Sequence, residues 1–393
     1  MTEKAYSLSH NLQSMIAITF IMNNRFLHYF AFFTLASVIT VNHALAQAII
    51  IGQTFIQTGP LASLSEQPLV GIKAKINAVN SAGGINGRLI EFRQLDDGSD
   101  TAKAGENVRK LVAGGAIAIL MPIGTISSLG ALQAANELKV PLIAPYTGAA
   151  SVTKFSNYGF NVRISFDDEF ERIVNHLFTI GIKNIAFAHN DNPGARLAME
   201  GTKRAIESRG SKMVGSVAIK NDASDAEAQA AELVKLKPIA IAMSATTSVT
   251  AKFIQAYKKA GGEAIFYSSS FINGQALFKT LGKDAVGVVV SQVVPYPWNA
   301  ATPIVSEYQT AMQKIGVNEF SYGSLEGFIN ATVLIEGLKR AGGKISSATL
   351  KNALEGFNPL NLGGIFITYS NDDHNGLSFS ELSMIKSDGR YLK

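Results

Sequence analysis

AIIIGQTF (residues 48–55) is followed by PLVGIKAKINAVNSA (residues 68–82), then by GG (83–84) and RLIEFRQL (88–95). The first run is short, apolar and rich in isoleucine, which predicts a strand buried on both faces. In the second, Leu69, Ile72, Ile76 and Val79 recur at helical spacing, so a helix is expected over Pro68–Ala82. Gly83 and Gly84 close it, because glycine accepts the left-handed backbone of a helix end without a Cβ penalty. A second strand is expected over Arg88–Leu95. Strand, helix and strand in that order form a parallel βαβ unit.

The unit recurs along the chain. Helices are expected at Thr101–Ala113, Ser127–Leu138, Asp168–Ile180 and Ala195–Arg209. Strands are expected at Ile117–Met121, Pro141–Ala144, Asn184–Ala188, Val214–Ile219, Ile239–Met243 and Ala264–Tyr267, the last three separated by helices. Ala260-Gly261-Gly262 and Ala341-Gly342-Gly343 repeat the helix-closing punctuation. The segment QVVPYPW (residues 292–298) breaks the rhythm, since its two prolines suit no central strand. It reads as a crossover between domains. Helices at Pro303–Ile315 and Ser321–Ala341 and strands at Gly364–Thr368 and Phe379–Ile385 complete the chain. The fold class is α/β, with parallel sheets covered by helices on both faces. A length of 393 residues with 47% apolar side chains fills two such domains.

The N-terminus reads as a leader. Arg25 precedes an uncharged apolar run from Phe26 to Val41, and Ala44-Leu45-Ala46 supplies the small residues of a cleavage site. Cleavage is expected after Ala46, and Met22 offers an alternative start. The run is shorter than the ~20 residues a spanning helix needs. Removing Glu3, Lys4 and Arg25 with the leader takes the formal charge from +5 to +4. That excess is scattered, which excludes a nucleic-acid footprint. The absence of cysteine excludes thiol catalysis and thiolate metal sites. Only His176, His189 and His374 follow the leader, and no P-loop, G-x-S-x-G or paired-histidine motif accompanies them. No enzyme, cofactor or metal is expected.

Four segments together carry a resemblance: Thr58-Gly59-Pro60, Asn80-Ser81-Ala82-Gly83-Gly84-Ile85-Asn86-Gly87, Asp96-Asp97, and Ser321-Tyr322-Gly323-Ser324-Leu325-Glu326-Gly327-Phe328. Everything after Ala46 resembles the type I periplasmic binding proteins of the leucine/isoleucine/valine-binding branch, which serve ABC transporters. The resemblance implies two Rossmann-like lobes joined by a three-segment hinge. The first lobe is expected over roughly residues 47–164 and 294–370, the second over 165–293 and 371–393. It also implies a periplasmic monomer that captures a small carboxylate-bearing solute by hinge closure, for a membrane permease and its ATPase. Presentation of the ligand to a sensory receptor uses the same fold.

Ligands of open α/β sheets lie beyond the carboxyl ends of the strands, where helix N-termini favour anions. The resemblance places the carboxylate cup near Thr125, Ser127, Thr147 and Gly148; capping of the following helix is the other reading of Thr125 and Ser127. In the second lobe, amino-acid-binding relatives use a Glu and aromatic residues. The matching positions here hold Ser270, Pro193 and Thr246, so the clamp for an α-ammonium is not preserved. Asp191 is either a substitute carboxylate or an Asx-turn residue. Ser270-Phe271 resembles a less characterised subgroup of the branch. Leu64, Phe271 and Tyr322 are candidates for the apolar lining.

Overall fold

The computed structural model describes residues 47–392, so the expected leader lies outside the described residues. In chain order the first elements are β1 (Ile49–Phe55), α1 (Ser63–Ser81), β2 (Ile90–Asp96), α2 (Thr101–Ala113), β3 (Ala118–Leu120), α3 (Thr125–Leu138), β4 (Leu142–Ile143), α4 (Ala150–Thr153) and β5 (Gly159–Phe160). Then come α5 (Phe166–Thr179), β6 (Ile185–Asn190), α6 (Pro193–Glu207), β7 (Gly215–Ile219), α7 (Ala226–Leu236), β8 (Ala240–Ser244), α8 (Thr247–Lys259), β9 (Ile265–Ser268), α9 (Gly274–Leu281) and β10 (Val289–Gln292). The last are α10 (Pro303–Lys314), α11 (Tyr322–Arg340), α12 (Ser347–Glu355), β11 (Leu360–Asn361), β12 (Phe366–Ile367), β13 (Glu381–Ile385) and β14 (Tyr391–Leu392).

Two large sheets result. The first has the order β2-β1-β3-β4-β5 and is parallel throughout. The second has the order β14-β13-β10-β9-β8-β6-β7; it is parallel from β7 to β10 and antiparallel at β13 and β14. The apolar strand runs are buried as a strand covered on both faces must be: Ile49, Ile51, Ile185, Ala186, Phe187 and Ala240 are all at most 1% exposed.

The chain passes between the sheets three times. The first passage is Asn161–Ser165, after β5. The second is the proline-rich segment after β10, and the third lies between β12 and β13. The first and third are hydrogen-bonded to each other: Asn161 N donates to His374 O at 2.8 Å, Gly376 N to Asn161 O at 2.9 Å and Leu377 N to Val162 O at 3.0 Å.

Helices α1 and α11 cross on the first sheet. Gly71 and Gly327 make the crossing close, since a Cβ on either would collide with the opposite backbone, at Ser324 O and Pro68 O respectively. Lys75 of α1 pairs with Glu307 of α10 at 2.5 Å. The late helices therefore belong with the first sheet although they follow the second in sequence.

Four helix starts lie earlier than expected, among them α5 at Phe166, not Asp168, and α6 at Pro193, not Ala195. α1 begins at Ser63, not Pro68. Its entry is a series of tight turns, with Ala62 N bonded to Gly59 O, Leu64 N to Leu61 O and Ser65 N to Ala62 O. Pro68 then lies inside the helix and lacks only its own N–H. α3 begins at Thr125, not Ser127, because Gly124 at φ 81° turns the chain into the helix two residues sooner. The glycine punctuation holds at Gly83, Gly261 and Gly342, with φ of 95°, 80° and 77°.

Candidate functional site

The carboxyl ends of β1, β3, β4, β6, β8 and β9 face one another across the space between the two sheets. Met121 and Ala144, which follow β3 and β4, have φ of 49° and 55°, a region non-glycine residues seldom occupy. Each precedes a proline, which disfavours the right-handed helical alternative. The chain therefore turns sharply out of each strand. The two loops then pair, with Tyr146 N donating to Pro122 O at 2.8 Å and Gly124 N to Tyr146 O at 3.1 Å.

A cleft of about 60 Å³ lies here, and no charged side chain lines it. Three helix beginnings converge on it: Gly124, Thr125 and Ile126 of α3, Asn192, Gly194 and Ala195 of α6, and Ser244, Ala245 and Thr246 before α8. First-turn N–H groups have no intrahelical acceptor, and each helix adds partial positive charge at that end. Leu61, Leu64, Phe166 and Phe271 supply apolar walls. A second cleft of about 300 Å³ adjoins it and shares Leu64 and Phe271; Glu66, Gln67, Tyr146, Thr247, Ser270 and Asn273 are among its lining residues.

Hydrogen bonds fix the cup. Thr125 Oγ1 and Thr147 Oγ1 are 2.8 Å apart, and Thr147 Oγ1 accepts from Ala149 N at 3.1 Å. Asn190 joins the ends of β6 and β8, its Oδ1 accepting from Thr246 N at 2.7 Å. Asn192 Oδ1 caps α6 through Ala195 N at 2.9 Å. Gly194 lies against Thr125: a Cβ there would collide with the Thr125 hydroxyl, so α6 and α3 touch only because this residue is glycine.

The sequence candidates separate into groups. Leu64, Thr125, Thr246 and Phe271 line the smaller cleft, and Leu64, Ser270 and Phe271 the larger. Thr147 is buried directly behind Thr125. Gly148 allows close packing, since a Cβ there would come within 2.6 Å of Phe166 N. Ser127 is fully buried and donates to Asp97 at 2.7 Å, so its hydroxyl serves the interior. Asp97 also accepts from Thr54 and from Ser99 N, and burial raises its carboxyl above the usual range. Burial acts in the same sense on its neighbour Asp96, but bonds from Gln57, Thr58 and Gly98 outweigh it and hold that carboxyl at about 2. The Asp96-Asp97 pair is thus a loop-building device beneath the cleft. Pro193 opens α6 between two lining residues without lining the cleft itself. Asp191 is exposed and pairs with Arg196 at 3.0 Å. Tyr322 packs edge-on to Trp298 and Tyr391 in an aromatic cluster and lines neither cleft.

Ser270 belongs to a buried ionic cluster. Arg163 is in the first crossover, Glu169 on α5 and Glu326 on α11, and their side chains are at most 4% exposed. Arg163 Nη2 donates to Glu169 Oε1 at 2.8 Å and to Ser270 Oγ, and its Nη1 lies 3.5 Å from Glu326 Oε1. Ser270 N and Oγ donate to the two Glu169 oxygens at 3.0 and 3.1 Å. The guanidinium also lies 4.5 Å from the centre of the Phe271 ring and 5.4 Å from that of Tyr146. Burial opposes the charge on Arg163, but Glu326 and Glu169 outweigh it and raise its pKa. Burial pushes the Glu326 carboxyl up to about 7, against the pull of Arg163. The sequence reading missed this cluster because its members are far apart in the chain. It also missed Asn190, Asn192 and Gly194; the Asn-x-Asn-Pro-Gly run at 190–194 is the signal that marks a capped helix start there.

Among the described residues, no group of three or more histidine or acidic side chains is placed to hold a metal ion. No helix among them is long and apolar enough to cross a membrane.

The architecture has solved counterparts. A possible leucine/isoleucine/valine-binding protein from Rhodopirellula baltica superposes with a TM-score of 0.83 at 26% identity, over 88% of this chain and 97% of that one. A substrate-binding periplasmic protein from Ralstonia solanacearum superposes at 0.82 with 25% identity, over 88% and 99%. An amino acid binding protein of Pseudomonas aeruginosa is 28% identical over 176 residues, so the match spans 44% of this chain and 46% of that curated relative. The model of the family described as periplasmic binding protein matches residues 48–390. With two lobes of parallel sheet, helix beginnings around the cleft between them and a family match across nearly every described residue, the chain belongs to the periplasmic binding protein family, in the type I, leucine/isoleucine/valine-binding-protein-like branch.

Proposed function

We propose that this chain is the extracytoplasmic substrate-binding component of an ABC importer and captures a small carboxylate-bearing solute by lobe closure. The supporting observation is the convergence of three helix beginnings on a cleft with no charged side chain. An anion is favoured there by N–H groups and helix dipoles that are already in place and need no reorganisation. Either hydroxyl can donate in the Thr125–Thr147 bond, and when Thr147 donates, the Thr125 hydroxyl hydrogen is free to meet a ligand oxygen.

The lobes we propose are residues 47–164 with 294–370, and 165–293 with 371–393. Each supplies part of the cleft, so a bound ligand favours the closed arrangement by its differential affinity. The closed surface is then read by a permease and its ATPase. The protein acts as a monomer in the periplasm after removal of residues 1–46, and the ligand leaves chemically unchanged.

A thermal-shift screen of the mature chain against amino acids, aromatic acids, dicarboxylates and their amides tests this reading. A ligand at 100-fold its Kd adds about 2.7 kcal/mol, which raises the Tm by about 4 °C in a chain of this length. Carboxylates should supply the hits. Stabilisation by neutral solutes alone would refute the anion cup.

A further inference from the structure

We propose that the ligand is an elongated zwitterion whose cationic group is separated from its carboxylate by an apolar spacer. The inference rests on the carboxylate cup described above and concerns what lies beyond it. The 60 Å³ cleft is less than half the ~150 Å³ of an apolar cavity that admits benzene, whereas the 300 Å³ compartment is about twice that size. The cup therefore holds a carboxylate and little more, and the body of the ligand must pass Leu64 and Phe271, the two residues common to both compartments.

The two compartments have opposite electrostatic character. The small one is surrounded by helix beginnings. The large one has a single charged lining residue, Glu66. Its Ser270 is bonded to Glu169, and its Tyr146 lies over Arg163, so it rests on the buried cluster. That cluster pairs the Arg163 guanidinium with Glu169 and sets the buried Glu326 carboxyl beside it. The Glu66 carboxylate, in a compartment that no cationic side chain lines and that Tyr146 and Phe271 border, attracts a cation. Gln67 and Asn273 add side-chain carbonyl acceptors. An α-amino acid carries its two charges too close together to place one in each compartment. An ω-amino acid spans the neck with its methylenes on Leu64 and Phe271.

Calorimetric titration with 3-aminopropanoate, 4-aminobutanoate, 6-aminohexanoate, hexanoate and L-leucine tests the assignment. Affinity should rise along the ω-amino series, with 6-aminohexanoate at least about tenfold tighter than hexanoate or L-leucine. Ala276→Phe, which fills the large compartment alone, should weaken 6-aminohexanoate about tenfold and leave butanoate within about twofold. Glu66→Gln should weaken 6-aminohexanoate while leaving hexanoate unchanged. Equal binding of hexanoate and 6-aminohexanoate would overturn the cation compartment and leave the carboxylate cup standing. Tighter binding of L-leucine than of any ω-amino acid would overturn the elongated ligand. If no carboxylate binds in a folded protein of normal Tm, the cup itself falls.

Discussion

The cleft and the crossover cluster sit side by side and use electrostatics in opposite ways. The smaller cleft has no charged side chain and relies on helix ends, hydroxyls and asparagine amides. The cluster of Arg163, Glu169 and Glu326 gathers ionisable side chains in a buried junction that the smaller cleft does not include. The difference separates binding from architecture. The carboxylate of a ligand that must enter and leave is met by dipoles, which bind without the desolvation cost of an opposing ion. The junction of crossover, α5 and α11 is held by ions that do not exchange.

That contrast can be broken at its closest contact. Gly194→Val places a side chain where the Thr125 hydroxyl stands, so α6 cannot approach α3. Ligand affinity should fall about 100-fold, or about 2.7 kcal/mol, with the Tm of the unliganded protein nearly unchanged. Calorimetry reads the first and calorimetric melting the second. Retained affinity would mean that the two helix beginnings need not meet around the ligand.

The cluster is sharpened by pH. The Glu326 carboxyl at about 7 in the fold, against an ordinary 4.5, makes the folded chain hold a proton that the unfolded chain has released. Stability from this group is full below pH 4.5 and is lost as pH rises through 7, a span on the order of 3 kcal/mol. Glu326→Gln should remove that dependence and raise the urea midpoint at pH 8 relative to the parent, with little change at pH 5. Parallel pH profiles of parent and variant would show that Glu326 is ionised throughout.

Smaller effects test the cleft. Thr125→Ala should cost about 1 kcal/mol of binding through its lost hydroxyl, and Thr147→Ala about as much by freeing Thr125 from its orientation. Asp191→Ala should change binding by less than about 0.5 kcal/mol, because Asp191 is exposed, pairs with Arg196 and lines neither cleft. A tenfold loss from Asp191→Ala would restore it as a ligand group.

Much of the fold was legible because it rests on local periodicity. The βαβ rhythm, the helix-closing glycines and the crossover after Gln292 all follow from patterns within a few residues. Helix starts were less legible where a turn or a glycine begins the helix before its apolar face does, as at Ser63 and Thr125. The site was legible as a set of loops and less so as a set of side chains. Whether Ser127 faces a ligand or Asp97, or Thr147 lines a cleft or supports Thr125, depends on packing between elements remote in sequence. Ser270 shows the same limit. Its departure from a Glu is plain in the sequence, yet its bonds to Glu169 and Arg163 join residues more than a hundred positions apart.

The central claim is that an uncharged cleft ringed by helix beginnings recognises a carboxylate. The most direct measurement is a calorimetric comparison of a bound carboxylate with its primary amide at pH 7. The amide keeps the shape and removes the charge, so the carboxylate should bind at least about 30-fold tighter, or about 2 kcal/mol. Equal affinities would contradict the account.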